Sequence, residues 1–141
     1  MPRRLPACAV AALAASAALA ACGGDIRQDE LNRSVANLQS LAGDGELLAL
    51  GAAEDRTKAT FVRAHARELS EEADHEAEKL HDASADPSLE DEKRRAVDLA
   101  DQVSAGLGRL QVAPADRDVA RQVRERLRGL ADSAEALRDE L

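Results

Sequence analysis

From Leu31 onward the apolar positions of the chain recur at steps of three and four, the spacing that lines one face of an α-helix. Leu31, Val35, Leu38 and Ala42 form a first stripe, which Gly43-Asp44-Gly45 follows. Gly43 suits a C-terminal cap and Asp44 an N-terminal one, so the pattern predicts a helix over about 26–42 and then a break. The second stripe is longer. It runs Leu48, Ala52, Asp55, Ala59, Val62, Ala66, Leu69, Ala73, Glu76, Leu80 in the alternating spacing of a coiled-coil seam, with Asp55 and Glu76 as polar interruptions. It predicts one long helix over 45–83, close to about 60 Å at 1.5 Å per residue, which Gly51 could bend. Asp86-Pro87-Ser88 ends that helix and starts the next, because Asp86 and Ser88 are capping residues and Pro87 fits a first helical turn. The third stripe, Leu89 to Leu110 through Lys93, Ala96, Ala100, Val103 and Leu107, predicts a helix over 88–110 whose last turn Gly106 and Gly108 should fray. Pro114 opens a last helix over 114–140. Its stripe of Ala120, Val123, Leu127, Leu130, Ala134, Leu137 and Leu141 has no polar member.

Short connections between helices imply antiparallel neighbours. The expected fold class is therefore all-α: an antiparallel three- to four-helix bundle over 26–141 with one long helix. Composition agrees, since the 141 residues include 31 alanines, one Phe and no Tyr or Trp. Alanine and leucine favour packed helices, whereas sheets favour the β-branched and aromatic residues that are scarce here. The long helix would outrun its neighbours. It must bend, or its overhang must be covered by a partner protein or a second copy, and the unbroken last seam offers a second route to a homo-oligomer.

The first 21 residues follow a different pattern. Arg3 and Arg4 precede an apolar run from Leu5 that ends in small residues, which is the layout of a secretory signal peptide. The run closes on Leu19-Ala20-Ala21-Cys22. These four residues resemble the lipobox of bacterial lipoproteins, in which the Cys thiol receives a diacylglyceryl group and a peptidase then cuts just before it. The resemblance covers residues 1–22 and implies that Cys22 is the lipidated N-terminus, with 22–25 as lipidated Cys and short tether. The other readings are an ordinary secreted chain cut near Ala21 and an uncleaved anchor helix. In diderm relatives of the lipobox family an Asp after the Cys favours inner-membrane retention, and Gly23 stands there instead. Cell membrane and outer membrane are thus both open. Cys8 falls in the removed segment, so the mature chain would have no disulfide and would hold together by packing. The closing Arg138-Asp139-Glu140-Leu141 resembles an ER-retrieval tail, but it also continues the last helix, and a lipobox at the other end argues against retrieval.

Beyond residue 21 the chain has 17 bases and 27 acids. That excess argues against nucleic acid as a partner and against electrostatic docking to anionic lipid, leaving lipid on Cys22 to supply membrane affinity. The acids are uneven, since residues 68–92 hold eleven of them and the single base Lys79. Glu72-x-x-His75 and Glu78-x-x-His81 match the Glu-x-x-His pattern of di-metal bundles, although there the two motifs come from different helices. These four residues are the metal candidates, and a solvated surface is the plainer reading. His65 follows Phe61 by one helical turn, which suits packing beside that ring. Arg117, Arg121, Arg124 and Arg128 form one stripe on the last helix, able either to meet the acids of a neighbouring helix or to dock a charged partner. No catalytic Cys, phosphate loop or nucleophile elbow is present, and no cofactor is implied. The function expected is that of a membrane-anchored, non-enzymatic helical interaction or accessory module of the bacterial envelope. The alternative is a small metal- or ligand-binding bundle there.

Overall fold

The computed structural model describes residues 25–141; the expected signal peptide over 1–21 and the expected lipidation site Cys22 lie outside the described residues. Four helices pack against one another: α1 (Gln28–Ala53), α2 (Ala59–Asp82), α3 (Glu90–Val112) and α4 (Arg117–Glu140). Two short strands, β1 (Asp25–Ile26) and β2 (Ser84–Ala85), pair in parallel. The chain is an all-α bundle. α1 lies most closely on α4, and α2 on α3. The helices are 26, 24, 23 and 24 residues long, about 35–39 Å each, so none overhangs the rest.

The stripes read from sequence are the core. Val62, Ala66, Ala73 and Leu80 of α2, Ala96, Ala100, Val103 and Leu107 of α3, and Ala120, Val123, Leu127 and Ala134 of α4 are all fully buried. The breaks between helices differ from those expected. The expected break at Gly43–Gly45 is absent, because α1 runs through it, and the expected long helix over 45–83 is divided at 54–58. Gly45 continues the four-three rhythm of Leu38 and Ala42 on to Ala49 and Ala52 and is itself buried. A Cβ there would come within 2.7 Å of Leu107 and 2.8 Å of Leu127, so the glycine lets three helices approach. It is a packing device and not a terminator.

The true end of α1 is a Schellman turn. The Asp55 N–H donates to the Ala52 carbonyl at 3.1 Å and the Arg56 N–H to the Gly51 carbonyl at 2.9 Å. Asp55 has φ of 58°, in the left-handed region that Gly usually supplies. What reads in sequence as a polar interruption of a seam is therefore the residue that stops the helix. Its carboxylate also accepts from Arg117 at 2.5 Å, an ion pair exposed enough to contribute about 0–1 kcal/mol. Asp55→Ala should lower stability by about 1 kcal/mol, since alanine keeps the left-handed cost and loses the pair. Asp55→Gly should leave stability unchanged or raise it slightly. Thermal melts of the two variants check this order.

The other boundaries shift less. α3 starts at Glu90, after a turn in which Asp86 accepts from the Ser88 N–H and hydroxyl at 2.9 and 2.7 Å. It runs on to Val112 without fraying at Gly106, which is buried and would place a Cβ 3.2 Å from Leu127. Pro114 sits in the α3–α4 turn, and Asp116 caps α4 by accepting from the N–H groups of Asp118 and Val119 at 2.9 and 3.0 Å.

Candidate functional site

The up-and-down path gives the bundle two unlike poles. The entry pole carries β1, the α2–α3 turn and the end of α4; the far pole carries the α1–α2 and α3–α4 turns. At the entry pole the chain is fixed as soon as it is described. Asp25 pairs with Ser84 and Ile26 with Ala85, and the Ile26 side chain is buried in the core. Lys93, a buried seam residue, donates its ammonium to the Ala83 carbonyl at 2.9 Å and lies 3.0 Å from a Glu90 carboxylate oxygen, tying the same turn to α3. Arg95 on α3 holds Glu140 at the end of α4 with two hydrogen bonds, one of them 3.1 Å. The Arg95 hydrogen bond holds the Glu140 carboxyl below its usual range, as the Ser88 hydroxyl does that of Asp86.

The poles differ in charge. Residues 25–40, 71–101 and 129–141, the half nearer the entry pole, carry nineteen acids and seven bases. Residues 41–70 and 102–128, the far half, carry eight acids and ten bases. The exposed large apolar side chains, Leu47, Phe61 and Val112, all lie in the far half. Phe61 stacks on His65 with ring centroids 5.3 Å apart, and the His65 Nδ1 lies 3.1 Å from Glu68. The half-buried position expected for His65 beside that ring is found.

The arginine stripe of α4 is largely engaged within the bundle. Arg117 meets Asp55 at 2.5 Å, while Arg124 and Arg128 meet Glu46 of α1 at 3.6 and 2.5 Å. Arg121 pairs with Asp118 in its own helix. These contacts favour complementarity inside the fold over a charged docking stripe. The seam of α4 is buried between the helices, so self-association through it would require the bundle to open.

Glu72, His75, Glu78 and His81 are all exposed on the entry half of α2. Among the described residues no group of three or more His, Cys, Asp or Glu side chains is gathered so as to hold a metal ion. The acids of the other helices do not converge on these motifs. A groove of about 350 Å³ lies between α3 and α4, with Leu99, Leu130 and Leu137 below and Arg95, Asp98 and Ser133 at its rim. No aromatic residue lines it.

One polar cluster escaped sequence reasoning. Glu76, the second interruption of the long stripe, is buried and accepts from the Asn37 amide at 3.2 Å and from Lys79 at 3.3 Å, while Lys79 also donates to the Ser34 hydroxyl at 3.0 Å. These four side chains stitch α1 to α2. The Ser70 and Ser104 hydroxyls join α2 to α3 at 3.0 Å. A polar residue recurring in a seam position, with Lys79 one turn on, was the available signal, but Asn37 and Ser34 on α1 sit some forty residues away. Compared with protein-family models, with curated proteins and with solved structures, the chain matches none. Among the described residues no helix is long and apolar enough to cross a membrane.

Proposed function

We propose that the protein is a membrane-anchored, extracytoplasmic lipoprotein whose bundle is a non-enzymatic interaction or accessory module of the bacterial cell envelope. The observation that carries this reading is Leu19-Ala20-Ala21-Cys22 at the end of a charged start and an apolar run. The fold bears on how such an anchor would hold the bundle in two ways. First, Asp25 is already locked to the α2–α3 turn, so only Gly23 and Gly24 separate Cys22 from the domain, a span of at most about 10 Å. Second, the pole held there carries the acid excess, which anionic headgroups repel within a Debye length of about 8 Å. Acyl chains pull this end to the bilayer while its charges keep the bundle off the surface, and the far pole faces away from the membrane. Two acyl chains suffice for stable attachment where one does not.

Cys22→Ala should block both acylation and cleavage. The variant should accumulate as an unlipidated precursor that retains residues 1–21, seen by mass spectrometry as a heavier chain without added acyl mass. A variant processed as the native protein is processed would overturn the proposal.

A further inference from the structure

We infer that α2 and α3 form a flap that swings off the α1–α4 pair about the far pole, and that β1 is the latch that holds it shut. The inference goes beyond the proposed function and stands whether or not Cys22 carries lipid. Chain order supplies the hinge. α1 lies most closely on α4 and α2 on α3, so the bundle is built from two tight pairs. The chain crosses from one pair to the other at 54–58 and at 113–116, and both connections stand at the far pole. The third connection, between α2 and α3, lies within the flap.

Packing between the pairs runs from tight to loose in the direction that such a hinge requires. In the far half, Gly45 and Gly106 let the pairs close on Leu107 and Leu127. A Cβ at Gly45 would lie 2.7 Å from Leu107, and one at Gly106 would lie 3.2 Å from Leu127. In the entry half, one side of the same interface is the groove of about 350 Å³ between α3 and α4. The other side is the polar cluster, in which Asn37 and Ser34 of α1 meet Glu76 and Lys79 of α2. Hydrogen bonds of this kind exchange for water at small net cost, whereas interlocked leucines do not.

At the entry pole itself two contacts hold the flap down. One is the Arg95–Glu140 pair, whose side chains are half exposed and which contributes little in water. The other is the β1–β2 ladder, only two residues long, with Ile26 as its buried apolar part. Ile26 is therefore the main latch. Asp25 follows Gly23 and Gly24 directly, so a pull on the chain ahead of it loads β1 before any helix. Opening uncovers Leu31 and Val35 of α1 and Leu130 and Leu137 of α4, which the closed bundle hides. The flap thus gates an apolar trough at the pole where the chain enters.

The test measures distances by pulsed electron resonance in the full chain, with spin labels carried on keto amino acids so that no cysteine is labelled. Exposed positions 82 on α2 and 136 on α4 report the entry pole, 63 and 125 the far half, and 78 and 98 the flap itself. Ile26→Ser should raise the population at a longer 82–136 distance at least about tenfold, while the 63–125 and 78–98 distances keep their native values. Arg95→Ala, which touches only an exposed pair, should give a smaller change of the same kind. An oxidised cysteine pair from Asp25→Cys with Ser84→Cys, residues that face each other in the strand register, should abolish the longer distance in the Arg95→Ala chain. An unchanged 82–136 distance in both variants overturns the inference. So does lengthening of all three distances together, which is unfolding of the bundle, or a longer 82–136 distance that survives the cysteine pair.

Discussion

Leu127→Ala should lower the unfolding free energy by about 3–4 kcal/mol, the largest effect expected of any single truncation in this core. Leu127 is fully buried, and its two methyl groups fill the space that two glycines leave open. A Cβ at Gly45 would lie 2.8 Å from one and a Cβ at Gly106 3.2 Å from the other. The side chain thus sits where α1, α3 and α4 cross. Truncation leaves a cavity walled by backbone on two sides, and backbone relaxes into a void less readily than side chains do. The core is otherwise thin, since many seam positions are alanine, and small domains are stable by only about 5–15 kcal/mol. The loss would be a substantial share of the total. Urea denaturation should show a lower midpoint with an unchanged slope. A loss below about 1 kcal/mol would mean that the crossing closes up around the smaller residue.

Gly45→Val and Gly43→Ala should move stability in opposite directions, although the two positions are neighbours on one helix. Valine at 45 must displace Leu107 and Leu127, both fully buried, and overpacking of this kind costs about 1–3 kcal/mol. Gly43 has nothing within 4 Å of its would-be Cβ, so alanine there gains helix propensity of about 0.5–1 kcal/mol without a clash. Chemical denaturation of the pair reads the sign directly. If Gly43 marked a break between helices, alanine there would instead be destabilising.

These two glycines also show where sequence reading stopped. The apolar periodicity identified the buried face of every helix, because a seam residue signals its environment by spacing alone. Helix ends are set by geometry that spacing does not carry. Gly43-Asp44-Gly45 has the residues of a break, but Gly45 is small because three helices cross there. Asp55 has the look of a helix residue out of place, but it adopts the left-handed conformation that ends α1. The turn is short enough that the four-three rhythm passes through it in phase, so two helices read as one. The same limit applies to sites. Glu76 and Lys79 were visible one turn apart on α2, while their partners Asn37 and Ser34 became evident only when α1 and α2 were seen side by side. The arginine stripe was visible as a stripe, and its acids, Glu46 and Asp55, stood on another element. The charge polarity of the bundle depends on chain direction in all four helices and was legible only as the local acid run of 68–92.

The lipobox-like segment Leu19-Ala20-Ala21-Cys22 works in the other direction. It is a local pattern of four residues whose meaning is chemical and does not depend on the fold, which is why the sequence states the proposed anchor more sharply than it states any surface of the domain. Intact mass and N-terminal peptide mass of the native protein, extracted from cells in detergent, test the account most directly. The account predicts a chain that begins at Cys22 and carries a diacylglyceryl modification on that residue. A chain cut near Ala21 with an unmodified Cys22, recovered without detergent, would contradict it.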